Sequence, residues 1–182
     1  MLNVVAVVSA VVLLATYLTW LAGRLDRLHA RTDGARASLD AQLVRRAASA
    51  MAVAEYAVAA GLLSVATARA LSSAARVAST AGVAERESAE NDLSRSLHTA
   101  VPLLGQRDAD LRGLLADLAA ACSHVVLARR FYNDAVRDTR SVRRRHLVRW
   151  LRLSGHAPTP GYFEIDDTPT TALTAFDPAQ PT

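Results

Sequence analysis

The sequence predicts an all-α protein, with a single N-terminal transmembrane helix followed by an antiparallel four-helix bundle whose first and last helices are long. Residues 2–22 carry no charge. Apolar residues recur at helical spacings of three and four along most of the chain that follows. Only 5% of residues are aromatic, and the alanine and leucine that dominate favour helix over sheet. We therefore divide the chain into an anchor at 1–23, a helical bundle at 24–155 and a tail at 156–182.

The N-terminal segment, LNVVAVVSAVVLLATYLTWLA, is long enough to cross a bilayer as a helix. Tyr17 and Trp20 stand near its far end, where aromatic side chains favour the membrane interface. A cleaved signal peptide would begin with a positively charged region and would have a shorter apolar run. We therefore expect an uncleaved membrane span.

Charge on the two sides of this span predicts its orientation. Arginines follow it at positions 24, 27, 31 and 36, whereas no basic residue precedes it. Positively charged flanks stay on the cytoplasmic side of a membrane. We expect a single-pass protein of the cell membrane, with the N-terminus outside and the C-terminal domain in the cytoplasm.

Four helices are expected beyond the span, the first of them continuing the membrane helix. Their predicted bounds are about 24–59, 62–79, 83–100 and 108–153. Gly82 is a candidate C-terminal cap, Pro102 and Gly105 are expected to break the chain, and Asp108 is a candidate N-cap. Short connections imply antiparallel neighbours, so the last helix should return towards the membrane.

The tail after Gly155 has a different composition. Five of the six prolines lie between Pro158 and Pro181, and the tail holds four acidic residues and no basic one. Such a composition predicts a mostly disordered segment.

The end of the predicted fourth helix is rich in arginine but keeps its apolar spacing. At about 100° per residue, Leu147, Trp150 and Leu151 fall on one side of the helix. The opposite side carries Arg144, Arg145, Arg149 and Arg152. One interpretation is contact of these arginines and Trp150 with an anionic inner leaflet. The other is a solvated cationic face favoured by the helix dipole alone.

Nucleic acid is not an expected partner, because the chain has no reading motif and no exposed aromatics interleaved with its basic face. No lysine is present for a Schiff base or a P-loop. The five histidines form no zinc-binding pattern, and Cys122 is expected in the core. We predict that the protein is not an enzyme and has no catalytic residues, metal site or cofactor.

Four ordered blocks resemble the LemA family of bacterial membrane-anchored proteins. They are SLDAQLVRR at 38–46, ENDLSRSL at 90–97, ARRFYNDAVRD at 128–138 and GYFEIDD at 161–167. The residues that carry the resemblance are Asp40, Gln42, Arg129, Arg130, Tyr132, Asn133, Val136, Tyr162 and Phe163. The Phe-Pro usual after the Tyr-Asn block is absent, and His146-Leu147 stands there instead.

The resemblance implies an antiparallel helical bundle on one membrane anchor, with no established activity. It also implies that Tyr162 and Phe163 dock on the bundle, so that order extends to about Asp167. We therefore expect a non-enzymatic scaffold or interaction module at the inner membrane face, with an unknown protein partner. The alternative is an anionic-lipid sensor that uses the basic end of the last helix.

Overall fold

The computed structural model describes residues 1–105, 109–144, 159–168 and 173. This part of the chain is helical and contains no strand, as the composition predicted. Its helices are α1 (Leu2–Ala59), α2 (Val65–Thr80), α3 (Arg86–Leu104) and α4 (Ala109–Arg143). The first helix is a single element of 58 residues, about 87 Å long at about 1.5 Å per residue. The predicted continuation of the apolar segment to Ala59 is therefore confirmed.

Glycine at two helix ends explains where α1 and α3 stop. Gly61 has φ of 66°. The Leu62 N–H donates to the Ala57 carbonyl at 2.8 Å, and the Gly61 N–H donates to the Val58 carbonyl at 3.0 Å. This is the bonding pattern of a Schellman motif. Gly105, which follows α3, has φ of 63°. The helix that follows α1 is α2, and its N-cap is Ser64, whose hydroxyl accepts a hydrogen bond from the Thr67 N–H at 3.1 Å.

Two predicted helix stops were wrong. Pro102 lies inside α3. It stands in the last turn, where the missing N–H interrupts the helix only shortly before Gly105 ends it. Gly82 does not have a positive φ, and the cap position of α2 is Ala81, with φ −58° and ψ 136°. The predicted cap Asp108 and the continuation of the last helix through 145–153 lie outside the described residues.

The chain folds as two compact units. One unit contains residues 1–36 and 132–162, and the other contains residues 37–131 and 163–182. In the second unit, α2 packs on α3. Among its described residues, the core holds ten buried alanines and nine buried leucines, with Cys122 packed against it in a partly buried position. Small alanines let helices approach closely, which compensates for the small area that each one buries.

Candidate membrane anchor and polar contacts of the body

The first part of α1 exposes apolar side chains along its whole circumference. Between Val4 and Leu14, the large apolar side chains are 54–70% exposed. Residues 2–22 would span about 31 Å as a helix, close to the thickness of a bilayer core. A stable soluble helix would instead bury one apolar stripe. The apolar surface therefore has the length and distribution of a membrane-spanning segment.

By length and composition, two helices of the described part qualify as membrane spans: Asn3–Ala59 and Ala109–Arg143. The most apolar window of the first is 6% buried, whereas that of the second is 39% buried. Helices that form the core of a soluble protein meet the same criterion when they are apolar enough. The apolar window of the first helix is the more exposed of the two, and an N-terminal signal sequence meets the same criterion as well.

Aromatic and basic side chains mark the end of the exposed apolar segment. The rings of Tyr17 and Trp20 stack with centroids 6.1 Å apart. The Arg24 guanidinium lies 5.6 Å from the centroid of the Trp20 ring. An aromatic pair followed by a cation suits the level of the lipid headgroups.

In the unit that contains residues 1–36 and 132–162, α1 packs on α4 at the end of the apolar segment. Leu21 and Leu25 form a buried cluster with Val142. Further along, the hydroxyls of Thr32 and Thr139 are 2.9 Å apart in a buried contact. The Arg31 guanidinium donates to the Asp138 carboxylate at 3.4 Å, a weak exposed pair.

The second unit contains a buried ion pair between α1 and α3. Arg46 and Glu90 are 3% and 0% exposed, and the Arg46 Nη2 lies 2.5 Å from the Glu90 Oε2. Arg46 also donates through Nη2 to the Glu90 carbonyl at 3.2 Å and through Nη1 to the Ser94 hydroxyl at 3.4 Å. The other carboxylate oxygen of Glu90 and the Arg46 Nε are buried without a hydrogen-bond partner.

Burial sets the direction in which the pKa of Glu90 shifts. Desolvation raises the pKa of Glu90 above the usual 4.5, and the charge of Arg46 only partly opposes it. The surroundings of the Glu90 carboxylate agree with a raised pKa. Its Oε1 is buried away from solvent and accepts no hydrogen bond, which disfavours the ionised form. The pair is therefore a costly internal feature that depends on both partners.

Residues 163–168, here called the strap, lie in this second unit and are held mainly by α3. The Glu164 N–H donates to Glu87 Oε1 at 3.0 Å, and the Asp166 N–H donates to Asn91 Oδ1 at 2.7 Å. The Ser94 hydroxyl donates to the Asp166 carbonyl at 2.7 Å. These three bonds tie the backbone of the strap to side chains of one helix.

Two side chains of the strap are also held: Phe163 is buried, and Asp167 is paired with an arginine. Phe163 is 2% exposed. The Asp167 carboxylate accepts from Arg129 of α4, with Nε at 2.8 Å and Nη2 at 2.7 Å. Hydrogen bonds from the Thr168 hydroxyl and N–H lower the pKa of Asp166.

The first unit holds the residues that precede the strap. The Tyr132 hydroxyl donates to the Gly161 carbonyl at 2.8 Å, and the Arg140 Nε donates to the Pro160 carbonyl at 2.8 Å. The Arg140 guanidinium also lies 4.8 Å from the centroid of the Tyr162 ring. Both donors fix backbone carbonyls, so they hold this segment whatever its side chains are.

The family-like residues fall into three groups. Arg129, Tyr132, Tyr162 and Phe163 take part in holding residues 160–168, as described above. Asp40 and Gln42 are half-buried on α1, and the charge of Asp40 acts on Glu90. Val136 is fully buried, Asn133 is half-buried and Arg130 is exposed.

Sequence reasoning missed several residues of these contacts. In the sequence, Glu90 and Arg46 stand out only as members of the blocks that resemble the LemA family. A signal was present, because Glu90 shares the helical spacing of the buried Leu93 and Leu97. Likewise, Arg46 follows the buried Leu43 by three positions. A charge on an apolar stripe requires a partner inside the fold.

Of the predicted membrane-surface residues, only Arg144 lies in the described part of the chain, where it is exposed. Arg145, Arg149, Trp150 and Arg152 lie outside the described residues.

No group of three or more His, Cys, Asp or Glu side chains within residues 1–105, 109–144, 159–168 and 173 could hold a metal ion. Comparison with known proteins found no matching family model, curated protein or solved structure. The resemblance to the LemA family therefore stays a prediction from the sequence blocks.

Proposed function

We propose that the protein is a membrane-anchored, non-enzymatic helical bundle that acts as a scaffold or interaction module at the inner membrane face. The observation that carries this proposal is the run of large apolar side chains between Val4 and Leu14, all more than half exposed. Exposing this surface to water would be costly at about 25 cal/mol per Å². Lipid removes that cost, and the anchor then holds the helical body at the membrane.

The arrangement of the body is proposed to be antiparallel, as the LemA resemblance implies. Contacts within one unit support this. Leu25 of α1 clusters with Val142 of α4, Thr32 meets Thr139, and the Arg36 guanidinium lies over the Tyr132 ring at 5.6 Å. In these contacts, the residue numbers increase along α1 as they decrease along α4. This section of α4 therefore runs back towards the apolar segment.

A single membrane crossing with the N-terminus outside follows from the charges. Arg24, Arg27 and Arg31 come directly after the apolar segment, and positively charged flanks stay on the cytoplasmic side of a membrane. A single cysteine tests this orientation. In a Cys122→Ser background, Thr168→Cys places an exposed thiol on the body, and Asn3→Cys places one at the outer end of the span.

We expect an impermeant maleimide added to intact cells to label the cysteine at 3 and to leave the cysteine at 168 unlabelled until the cells are permeabilised. Labelling at 168 in intact cells, measured by a mobility shift, would overturn the proposed orientation. A cytoplasmic enzyme bearing a cysteine serves as the control for cell integrity.

A second candidate function is recognition of anionic lipid by the basic end of the last helix. The observation that favours it is the cluster of Val142 with Leu21 and Leu25. Leu21 and Leu25 stand at the end of the apolar segment, so the end of α4 lies close to the expected headgroup level. Arg143 is also within 3.5 Å of the His29 ring in the same unit. Each arginine near an anionic surface contributes about 1 kcal/mol.

Fluorescence of Trp150 tests the lipid-binding alternative in the full-length protein. The chain has two tryptophans, so Trp20→Phe leaves Trp150 as the only one. In reconstituted vesicles, we expect brominated lipid to quench Trp150 more strongly when anionic lipid is present. Replacing four arginines of the block with glutamine should remove this difference between anionic and neutral vesicles. The replaced residues are Arg144, Arg145, Arg149 and Arg152.

The control variant carries the same change of charge at exposed arginines elsewhere, namely Arg45, Arg69, Arg76 and Arg112. It should keep the dependence of quenching on anionic lipid. Equal quenching in neutral and anionic vesicles would rule out lipid recognition by the block.

A further inference from the structure

One face of α3 binds the backbone of the strap. Glu87, Asn91 and Ser94 stand at i, i+4 and i+7, so they lie on the same side of the helix. They bond to the N–H groups of Glu164 and Asp166 and to the Asp166 carbonyl. The bonded N–H groups belong to alternate residues, which is the periodicity of an extended chain. This face therefore recognises extended backbone independently of the side chains at those positions.

Two side chains of the strap, four positions apart, are also buried or paired. Phe163 is buried at 2% exposure. Asp167 meets Arg129, and the two side chains of this pair are only 19% and 23% exposed. Between these two anchors, Glu164 and Asp166 expose their side chains and Ile165 is half-buried. The strap thus has the form of a bound linear peptide, with two side-chain anchors and a backbone held by polar groups.

We infer that this surface of α3 and α4, formed by Glu87, Asn91, Ser94 and Arg129, is a peptide-docking site. It takes from a partner protein an extended segment with an aromatic residue followed four positions later by a carboxylate. The strap is the occupant in cis and competes with the partner. This inference deepens the proposed scaffold function, on which it rests, by naming the surface that the partner contacts and the chemistry that the surface selects.

Competition in cis makes the inference measurable. When the strap fills the site, the apparent affinity for an added peptide equals the intrinsic affinity multiplied by the fraction of sites that are free. Phe163→Ala removes the buried anchor of the strap and leaves the four docking residues unchanged. The free fraction should therefore increase in this variant.

The probe is a fluorescein-labelled peptide with the sequence of residues 159–168, and the protein is the full-length chain in detergent. Fluorescence anisotropy should show at least ~10-fold tighter binding to Phe163→Ala than to the unaltered chain. Adding Arg129→Gln to Phe163→Ala should weaken binding ~10-fold, whereas adding Arg130→Gln at the exposed neighbour should leave it unchanged. A peptide in which alanine replaces Phe163 should not bind. Circular dichroism checks that each variant keeps its helices.

Equal peptide affinity for the unaltered chain and Phe163→Ala would overturn the inference, as would equal effects of the Arg129 and Arg130 substitutions. If an untagged Phe163→Ala chain co-purifies with a tagged unaltered chain, the occupant of the site is the strap of a second copy. That result would overturn the inference of a separate partner protein. Membrane pelleting of every variant is measured in parallel. Loss of peptide binding with pelleting intact removes this inference alone, whereas loss of pelleting from the unaltered chain removes the proposed anchor.

Discussion

Arg46→Met is expected to lower the free energy of unfolding by about 3–5 kcal/mol at neutral pH, the cost of leaving a buried charge without its partner. Arg46 and Glu90 are almost wholly buried and lie 2.5 Å apart. Methionine replaces the apolar part of the arginine but supplies no donor. The Glu90 carboxylate would then remain inside the fold without its counterion. Urea unfolding of the detergent-solubilised chain, followed by circular dichroism, measures the loss.

The loss should depend on pH in a specific direction. Burial already raises the pKa of Glu90 above 4.5, and Arg46 is the largest influence that lowers it. Without Arg46, the folded-state pKa rises further. A raised pKa in the folded state means that the folded chain favours protonated Glu90. The stabilising contribution of this protonated group is complete at pH values below the pKa of Glu90 in the unfolded chain. It is lost as the pH rises through the folded value. The deficit of Arg46→Met should therefore be largest at neutral pH and should shrink as the pH falls towards 4.5.

Arg45→Met is the matched control, because Arg45 is the exposed neighbour of Arg46 on α1. It should change stability by no more than about 0.5 kcal/mol. Combining Arg46→Met with Glu90→Leu removes both charges and should recover stability relative to Arg46→Met alone. A deficit that is independent of pH, or equal for the two arginines, would contradict a buried ion pair.

Arginine in place of both Val8 and Val12 is expected to abolish stable membrane association of the chain. The two side chains are 56% and 58% exposed and lie one helical turn apart near the middle of the apolar segment. Each arginine near the centre of a spanning helix costs about 2.5–3.5 kcal/mol by insertion scales. Their sum is large enough to move most of the protein out of the alkali-resistant membrane fraction. Immunoblotting of pellet and supernatant measures the distribution.

The control adds the same charge to exposed valines of the body, with Val44→Arg on α1 and Val77→Arg on α2. This variant should pellet like the unaltered chain. If both double variants pellet equally, the first part of α1 is not what holds the protein at the membrane.

The helical class could be predicted from the sequence because it depends on local patterns. A charge-free run, helical spacing and abundant alanine act over a few turns, and neither Gly23 nor Gly34 interrupts α1. The space around Gly34 is open, and a Cβ at Gly23 would touch only the Arg27 side chain at 3.6 Å. Helix stops were harder to predict. The conformation of Gly61 and Gly105 depends on how the chain leaves the helix, and Pro102 lies inside the last turn of α3 although proline usually interrupts a helix.

The polar contacts of the body could not be predicted in the same way. The Arg46–Glu90 pair joins residues 44 positions apart, and the Arg129–Asp167 pair joins residues 38 positions apart. Periodicity places each residue on its own helix but does not say which face of another helix it meets. The family-like blocks marked Arg129, Tyr132 and Phe163 as a set, but not the role of Glu87 or Asn91. Only the three-dimensional contacts showed that these residues bind the backbone of the strap.

The most direct test of the membrane anchor is fractionation of the unaltered full-length chain without detergent, followed by intact-mass measurement of the recovered protein. The predicted result is a chain that stays in the membrane pellet after extraction at alkaline pH and retains residues 2–22. A chain that remains in the supernatant after high-speed centrifugation, or a membrane-free product that begins near Gly23, would contradict the account.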